Sequence, residues 1–287
     1  MGTVITIANE KGGVGKTTTA VNLAAGLALR LADQDHADAR VLLIDMDPQG
    51  HALLATAYEE LEHVPPASLA ALLTETPPPS VQSMLRRSTH HPNLLIIPSS
   101  RASMVQAARL LPTLMANESR LLHAVEAVLS QFAYVIIDTP PTTGDLLINA
   151  LVCSTHVIIP VETSYLGVSG LRELQRTIEE VRLHFRPNLK TLGYLPTLCE
   201  EQRAETREIL EEMNNRYPGQ VLNPIHKSSD LAYAHSSHMD IFTYRPPRQR
   251  VAGQIASSSR ATQEYAQLVE EILQKTWKPS AQKQNRG

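Results

Sequence analysis

Near its start the sequence reads Asn9-Glu10-Lys11-Gly12-Gly13-Val14-Gly15-Lys16-Thr17-Thr18. The apolar run at residues 4–8 precedes it and predicts a buried strand, and the helical spacing of apolar residues over 20–28 predicts a helix. A glycine-rich turn between a strand and a helix directs backbone N–H groups inward, and the helix dipole adds positive charge there. We therefore expect a phosphate-binding loop in which Lys16 reaches the β- and γ-phosphates and the Thr17 hydroxyl binds Mg²⁺.

One position departs from the general phosphate-loop pattern. Glu10 stands where that pattern has glycine, and a second lysine, Lys11, opens the segment that follows. This segment resembles the deviant Walker A box of the ParA/MinD family of ATPases. The resemblance implies that ATP is bound by Lys11, Gly12, Gly13, Val14, Gly15, Lys16, Thr17 and Thr18. It also implies that Lys11 crosses a dimer interface to the partner's phosphates, so that Lys11 and Lys16 both serve catalysis.

Two carboxylates follow the next apolar run. Asp45 and Asp47 are two residues apart, so both side chains point to the same side of an extended segment. Pro48 and Gly50 come directly after them, and turn formation is the simpler interpretation of such a pair. The sequence from Asp45 to Gly50 also resembles the second motif of the same ATPases. By that resemblance Asp47 is catalytic and orients the attacking water, while Asp45 supports the Mg²⁺ shell.

A third carboxylate ends another apolar run. Residues 134–138 close in Asp138, which is the Walker B arrangement, in which a carboxylate holds Mg²⁺ directly or through water. Such a run is weak evidence alone, but it is specific when a phosphate loop precedes it. Residues 139–144 then resemble a switch segment that senses the γ-phosphate.

The composition sets limits on the class of protein. The chain has 287 residues, 43% of them apolar, two cysteines and a formal net charge of −3, so any nucleic-acid-binding surface must be local. Cys153 and Cys199 are too far apart to suggest a metal-ligand pair, and they indicate a reducing compartment. Since no apolar run approaches 20 residues, we expect a cytoplasmic protein. The family resemblance implies that it associates with the nucleoid when ATP is bound.

The order of the apolar runs predicts the fold class. Short apolar runs alternate with helical patterns, and most runs lack polar alternation, as expected for strands that helices cover on both sides. The predicted strands are 4–8, 41–45, 94–97, 134–138, 156–160 and 191–195, with short additions at 221–222 and 241–242. This pattern predicts an α/β fold with a doubly wound, mostly parallel sheet, helices on both faces and ligands at the carboxyl ends of the strands.

We expect one ATPase domain over residues 1–274 and a basic, disordered tail over 275–287. Two proline-rich stretches, at 64–66 and 76–79, predict a surface excursion with short helices between the second and third strands. The histidines fall in loop-like sequence without metal-site spacing, so solvated side chains are expected at His90, His91, His226, His235 and His238.

The late part of the chain supplies two further predictions. By the family resemblance, Tyr244 and Pro246 flank the adenine. No acidic residue occurs between Ile241 and Gln263, so this stretch predicts a local positive surface, although a solvated basic loop is the simpler alternative. The arginines predicted to bind DNA are Arg203, Arg245, Arg248, Arg250 and Arg260.

The resemblance implies a ParA-type partition ATPase. In that reading ATP closes a homodimer, the dimer binds double-stranded DNA without sequence preference, and a ParB-like adaptor stimulates hydrolysis. The alternative is a MinD-like or protein-cargo-positioning ATPase that acts on a membrane or a protein assembly. The last helical segment carries Glu264, Glu270 and Glu271 where a membrane-surface helix favours lysine and arginine, so no stable membrane association is expected.

Overall fold

The structure, a computed structural model, describes residues 2–33, 39–52, 56, 68–245 and 259–277. Within these residues it contains seven strands: β1 Thr3–Ile7, β2 Val41–Asp45, β3 Arg86–Arg87, β4 Leu94–Ile97, β5 Tyr134–Asp138, β6 His156–Glu162 and β7 Lys190–Thr197. The helices are α1 Lys16–Asp33, α2 Leu69–Thr74, α3 Val81–Met84, α4 Arg101–Leu110, α5 Arg120–Leu129, α6 Asp145–Cys153, α7 Tyr165–Ser169, α8 Leu171–His184, α9 Ala204–Arg216, α10 Ser229–Ser236 and α11 Arg260–Thr276.

All strands form one sheet in the order β3-β4-β2-β5-β1-β6-β7. Every pairing is parallel except that of β3 with β4. The register places Asp138 of β5 opposite Ile7 of β1 on one side and Asp45 of β2 on the other. The carboxyl ends of these three strands therefore meet at one level, and the loop after β1 lies at that edge.

Helices cover both faces of the sheet, as predicted. In β1, Ile5 and Ile7 pack against the side that holds α1 and α11, whereas Val4 packs among α4, α5 and α6 on the opposite side. A third core lies between β6, β7, α8 and α9. Burial of both strand faces explains why the predicted strands read as continuous apolar runs. The prediction of a doubly wound sheet is confirmed.

The contact between α1 and α11 depends on one glycine. A β-carbon at Gly26 would lie 2.6 Å from Val269 Cγ2 and 2.8 Å from Phe242 Cε2, so a larger residue would push the helices apart. On α11, Tyr265, Leu268 and Ile272 are fully or almost fully buried against this surface. The apolar face of the last helix is thus occupied by the core. No helix in the described ranges is long and apolar enough to cross a membrane.

Some elements of the structure differ from the sequence predictions. Residues 241–242 lie in a turn instead of a strand, and Val221 makes only an isolated bridge to Tyr194. The two-residue edge strand β3 was not predicted, because arginine pairs carry no apolar pattern. Finally, α11 continues through Thr276, so the predicted boundary at 274 falls inside this helix. The expected short helices of the proline-rich excursion are present as α2 and α3.

Candidate nucleotide-binding site

The loop after β1 has the backbone of a phosphate cradle. Gly13 and Gly15 adopt left-handed conformations, with φ of 76° and 83°, which glycine reaches without steric cost. Helix α1 begins at Lys16, and the Thr19 amide donates to the Gly15 carbonyl at 2.9 Å. The Val14 carbonyl accepts a 2.9 Å hydrogen bond from the Thr197 hydroxyl at the end of β7. Thr197 thereby anchors the loop from across the sheet, a role that the sequence did not reveal.

Lys16 is folded back over this loop. Its side chain is only 6% exposed, and its Nζ donates to the Lys11 carbonyl oxygen at 2.8 Å. Burial lowers the pKa of Lys16, and the nearby carboxylates of Asp138 and Asp47 oppose that shift. A buried ammonium that lies at the glycine loop near two carboxylates is placed to meet a phosphate chain.

Asp138 retains an unused acceptor in the interior. Its Oδ1 accepts the Thr139 amide at 3.1 Å, whereas its Oδ2 is buried without a hydrogen-bond partner among the described residues. Burial raises the pKa of Asp138 to about 7, and the Thr17 hydroxyl and the Lys16 ammonium lower it in part. An orphaned carboxylate oxygen beside a threonine hydroxyl is a donor set that suits Mg²⁺, because a divalent cation would stabilise the charged form. The residues present fit the ion.

Asp45 and Asp47 have different environments. Both oxygens of Asp45 already accept backbone amides, from Asp47 and from Ala52, each at 3.0 Å. Burial and the neighbouring Asp138 raise the pKa of Asp45 well above its usual range. Asp47 is 9% exposed, and its Oδ1 accepts the Gln49 amide at 2.9 Å. Asp45 therefore shapes the turn that presents Asp47 toward Lys16 and Asp138.

Lys11 is fixed at its backbone by a neighbour. Its amide donates to Asn9 Oδ1 at 2.9 Å, and Asn9 Nδ2 donates to the Pro160 carbonyl at 2.6 Å. The Lys11 side chain forms an ion pair with Glu162, the last residue of β6. Asn9 is a positioning residue that the sequence analysis missed, since an asparagine before a glycine loop gives no signal of its own.

Comparison with known proteins agrees with this geometry. A family model described as an AAA domain matches residues 2–191. The sporulation initiation inhibitor protein Soj of Bacillus subtilis (strain 168) is 34% identical over 273 residues, covering 95% of this chain and 98% of that protein. The chromosome partitioning protein ParA of Myxococcus xanthus (strain DK1622) is 35% identical over 225 residues, covering 78% of this chain and 75% of that protein.

This chain belongs to the ParA/Soj family of P-loop ATPases.

A solved structure extends the comparison to the bound ligand. The cobyrinic acid a,c-diamide synthase of Mycobacterium smegmatis, with bound ATP analog and magnesium, is 29% identical, with a TM-score of 0.68. The alignment covers 83% of this chain and 93% of that one. The neighbour combines nucleotide and magnesium on the same fold, which supports nucleotide and Mg²⁺ binding for this fold.

The late loop of this ParA/Soj family member is held by side chains. The Ile241 amide donates to Asn22 Oδ1 on α1 at 2.7 Å, and the Asp240 carboxylate accepts the amides of Phe242 and Thr243. These bonds take the amide groups that a strand would need, which explains the turn at 241–242. Tyr244 is 9% exposed and packs into the core, so its contact with adenine stays a prediction. Pro246 lies outside the described residues.

Two of the predicted DNA-binding arginines are already ion-paired. Arg260 pairs with Glu201 and Glu264 at 2.6 and 2.7 Å, and Arg203 pairs with Glu200 at 3.2 Å. The stretch without acidic residues thus receives acidic partners from other parts of the chain. The Arg245 guanidinium donates to the carbonyls of Phe242 and Tyr244. Arg248 and Arg250 lie outside the described residues, and DNA binding stays a prediction.

The expectation of solvated histidines is wrong at two positions. His91 is 5% exposed, and its Nε2 lies 2.7 Å from Asp240 Oδ2. His226 Nδ1 lies 2.7 Å from Glu264 Oε1. Burial opposes the charged form of Asp240, but hydrogen bonds from His91 and Thr243 outweigh it and hold the pKa of Asp240 below its usual value. No cluster of three metal-ligating side chains occurs in the residues that the structure describes.

Proposed function

We propose that this protein is a partition ATPase whose ATP-bound homodimer binds double-stranded DNA without sequence preference and whose hydrolysis is stimulated by a ParB-like adaptor. The observation that carries the proposal is the phosphate cradle, in which Lys16 lies near the buried Asp138, whose Oδ2 is orphaned, beside left-handed glycines. Membership in the ParA/Soj family supports it further.

In the proposed reaction, the protein aligns the reactants. The loop amides and Lys16 bind the triphosphate, and Thr17 and Asp138 would hold Mg²⁺, with Asp45 supporting them. Magnesium supplies charge neutralisation for the transferred phosphoryl group. Asp47 orients the attacking water toward the γ-phosphate, so this carboxylate acts through its position. Turnover is expected to be slow without an adaptor, because the described residues place no arginine at the cradle.

Lys11 has a proposed role in the dimer. We predict that Lys11→Ala binds ATP but remains monomeric with a non-hydrolysable analogue, because the variant lacks the ammonium that would bind the partner's phosphates. Sedimentation velocity with Mg²⁺ and the analogue measures this directly. Lys190→Ala, which removes an exposed lysine of β7, serves as the matched control and dimerises as wild type does. If Lys11→Ala dimerises at the same protein concentrations as wild type, Lys11 has no role in the partner's site.

The proposed DNA contacts make a separate prediction. A closed dimer presents two copies of the basic stretch, giving about six to eight phosphate contacts and a slope of log affinity against log salt of roughly −5 to −7. Replacing Arg248 and Arg250 together by alanine is expected to weaken binding to all sequences alike and to flatten the slope by roughly 3 to 4. Dimerisation stays intact. A salt titration on two unrelated duplexes measures both quantities, and an unchanged slope would remove these arginines from the interface.

The protein-cargo alternative has one observation in its favour. Arg203 and Arg260 are paired with carboxylates, so fewer cations are available for DNA than the sequence suggested. If the protein positions a protein assembly, the same nucleotide-dependent dimer forms, but no salt-sensitive DNA binding accompanies it. A membrane role through the last helix is disfavoured, because the apolar face of α11 is buried against α1.

A further inference from the structure

The ion pair between Lys11 and Glu162 lies within one chain. Glu162 ends β6, directly beside the loop after β1, and both side chains are 33% exposed. The proposed function needs the same lysine at the phosphates of a second subunit. Movement of the ammonium to the partner's phosphates would break its pair with Glu162, so the pair and the dimer contact compete for one side chain.

The backbones that carry this pair are fixed on both sides. The Asn9 side chain bonds the Lys11 amide at 2.9 Å and the Pro160 carbonyl at 2.6 Å, which ties the loop to the end of β6. On the other side, a β-carbon at Gly167 would lie 2.1 Å from the Glu162 carbonyl oxygen, so only glycine allows α7 to pack there. These contacts hold the backbone at both ends of the pair, so the Glu162 carboxylate is presented to Lys11 by the fold.

We propose that Glu162 is a latch that holds Lys11 in its own subunit and thereby sets the protein concentration at which ATP drives dimerisation. The inference rests on the proposed role of Lys11 in trans. When two ATP-bound subunits meet, each lysine exchanges one carboxylate for the more highly charged triphosphate of the partner. Each dimer requires the ion pair to break in both subunits, so the free energy of breaking one pair enters the free energy of dimerisation twice.

The size of the effect follows from the exposure of the pair. A partly exposed ion pair contributes little free energy. The loss of two such pairs corresponds to roughly a 2- to 30-fold change in the dimer dissociation constant. Glu162→Gln keeps the shape of the side chain and one acceptor oxygen and removes its charge. This variant is therefore expected to dimerise at a concentration lower by that factor, with unchanged binding of the nucleotide analogue.

A nearby acid provides the matched control. Burial raises the pKa of Glu10, and the nearby Glu173 on α8 raises it further. No ion pair joins Glu173 to Lys11 within the described ranges. Glu173→Gln removes one negative charge from the same region but leaves the latch closed, so its dimer dissociation constant is expected to match that of wild type.

The experiment is sedimentation velocity over a concentration series with Mg²⁺ and a non-hydrolysable ATP analogue. It compares wild type, Glu162→Gln, Glu173→Gln, Lys11→Ala and the double variant Lys11→Ala with Glu162→Gln. The latch predicts tighter dimers for Glu162→Gln alone and monomers for the double variant. Unchanged or weaker dimerisation of Glu162→Gln overturns it, as does a double variant that dimerises. A Lys11→Ala protein that dimerises normally would instead contradict the proposed function, so the two failures are distinguishable.

Discussion

Lys16→Ala is expected to bind ATP at least about 30-fold more weakly than wild type, because truncating one partner of a buried, hydrogen-bonded charge pair costs about 2–5 kcal/mol. In the structure the Lys16 ammonium is buried at the loop, donates to the Lys11 carbonyl and lies near Asp138 and Asp47. Isothermal titration with an ATP analogue and Mg²⁺ measures the loss, and dimerisation and DNA binding disappear with it.

Two controls isolate this effect from folding. Lys190→Ala removes a lysine from the far end of β7 and is expected to bind ATP as wild type does. The thermal unfolding midpoint of Lys16→Ala without nucleotide is expected to stay close to that of wild type, since burial already disfavours the charged lysine there. ATP binding within about threefold of wild type would place the triphosphate somewhere other than this loop.

Asp47→Ala is expected to bind ATP nearly normally and to lose hydrolysis by roughly 100-fold or more, the range found when a positioned acid–base group is removed. The reason is that Asp47 is the more exposed carboxylate of its turn, whereas both oxygens of Asp45 are engaged by backbone amides. Single-turnover hydrolysis and analogue binding, measured on one preparation, separate the two quantities.

Asp47→Asn sharpens that test. The amide oxygen still accepts the Gln49 N–H that Asp47 Oδ1 accepts in the structure, so the turn keeps its hydrogen bond while the charge is lost. Both variants are therefore expected to trap the ATP-bound dimer, with prolonged DNA binding. Hydrolysis by Asp47→Asn at the wild-type rate would assign the activation of water to another group.

Most of the sheet could be predicted because its strands are buried on both faces. The run at 134–138 has no polar interruption before Asp138, and the pattern at 41–45 is the same, so both strands and their terminal carboxylates were placed correctly. The conformation of the glycine loop could be predicted from its composition, because glycine tolerates the left-handed φ values that Gly13 and Gly15 adopt. The strands and the loop are therefore determined by residues that are close together in the sequence.

Features that depend on distant partners could not be predicted. Ile241 follows an apolar pattern, but its amide is bonded by Asn22, which is 219 residues away in the sequence. His91 lies in a loop, yet Asp240, 149 residues later, brings it into the interior. Likewise the acids that pair with Arg260 include Glu201, 59 residues earlier. Such contacts arise from tertiary packing, which cannot be predicted from periodicity or composition.

The dependence of DNA binding on nucleotide is the central claim. The most direct measurement is the affinity of the wild-type protein for two unrelated DNA duplexes of equal length, at one fixed low salt concentration, with Mg²⁺ and either a non-hydrolysable ATP analogue or ADP. We predict equal affinities for the two duplexes with the analogue and markedly weaker binding to both with ADP. Binding that is the same with ADP, or no binding to either duplex with the analogue, would contradict the proposed partition function.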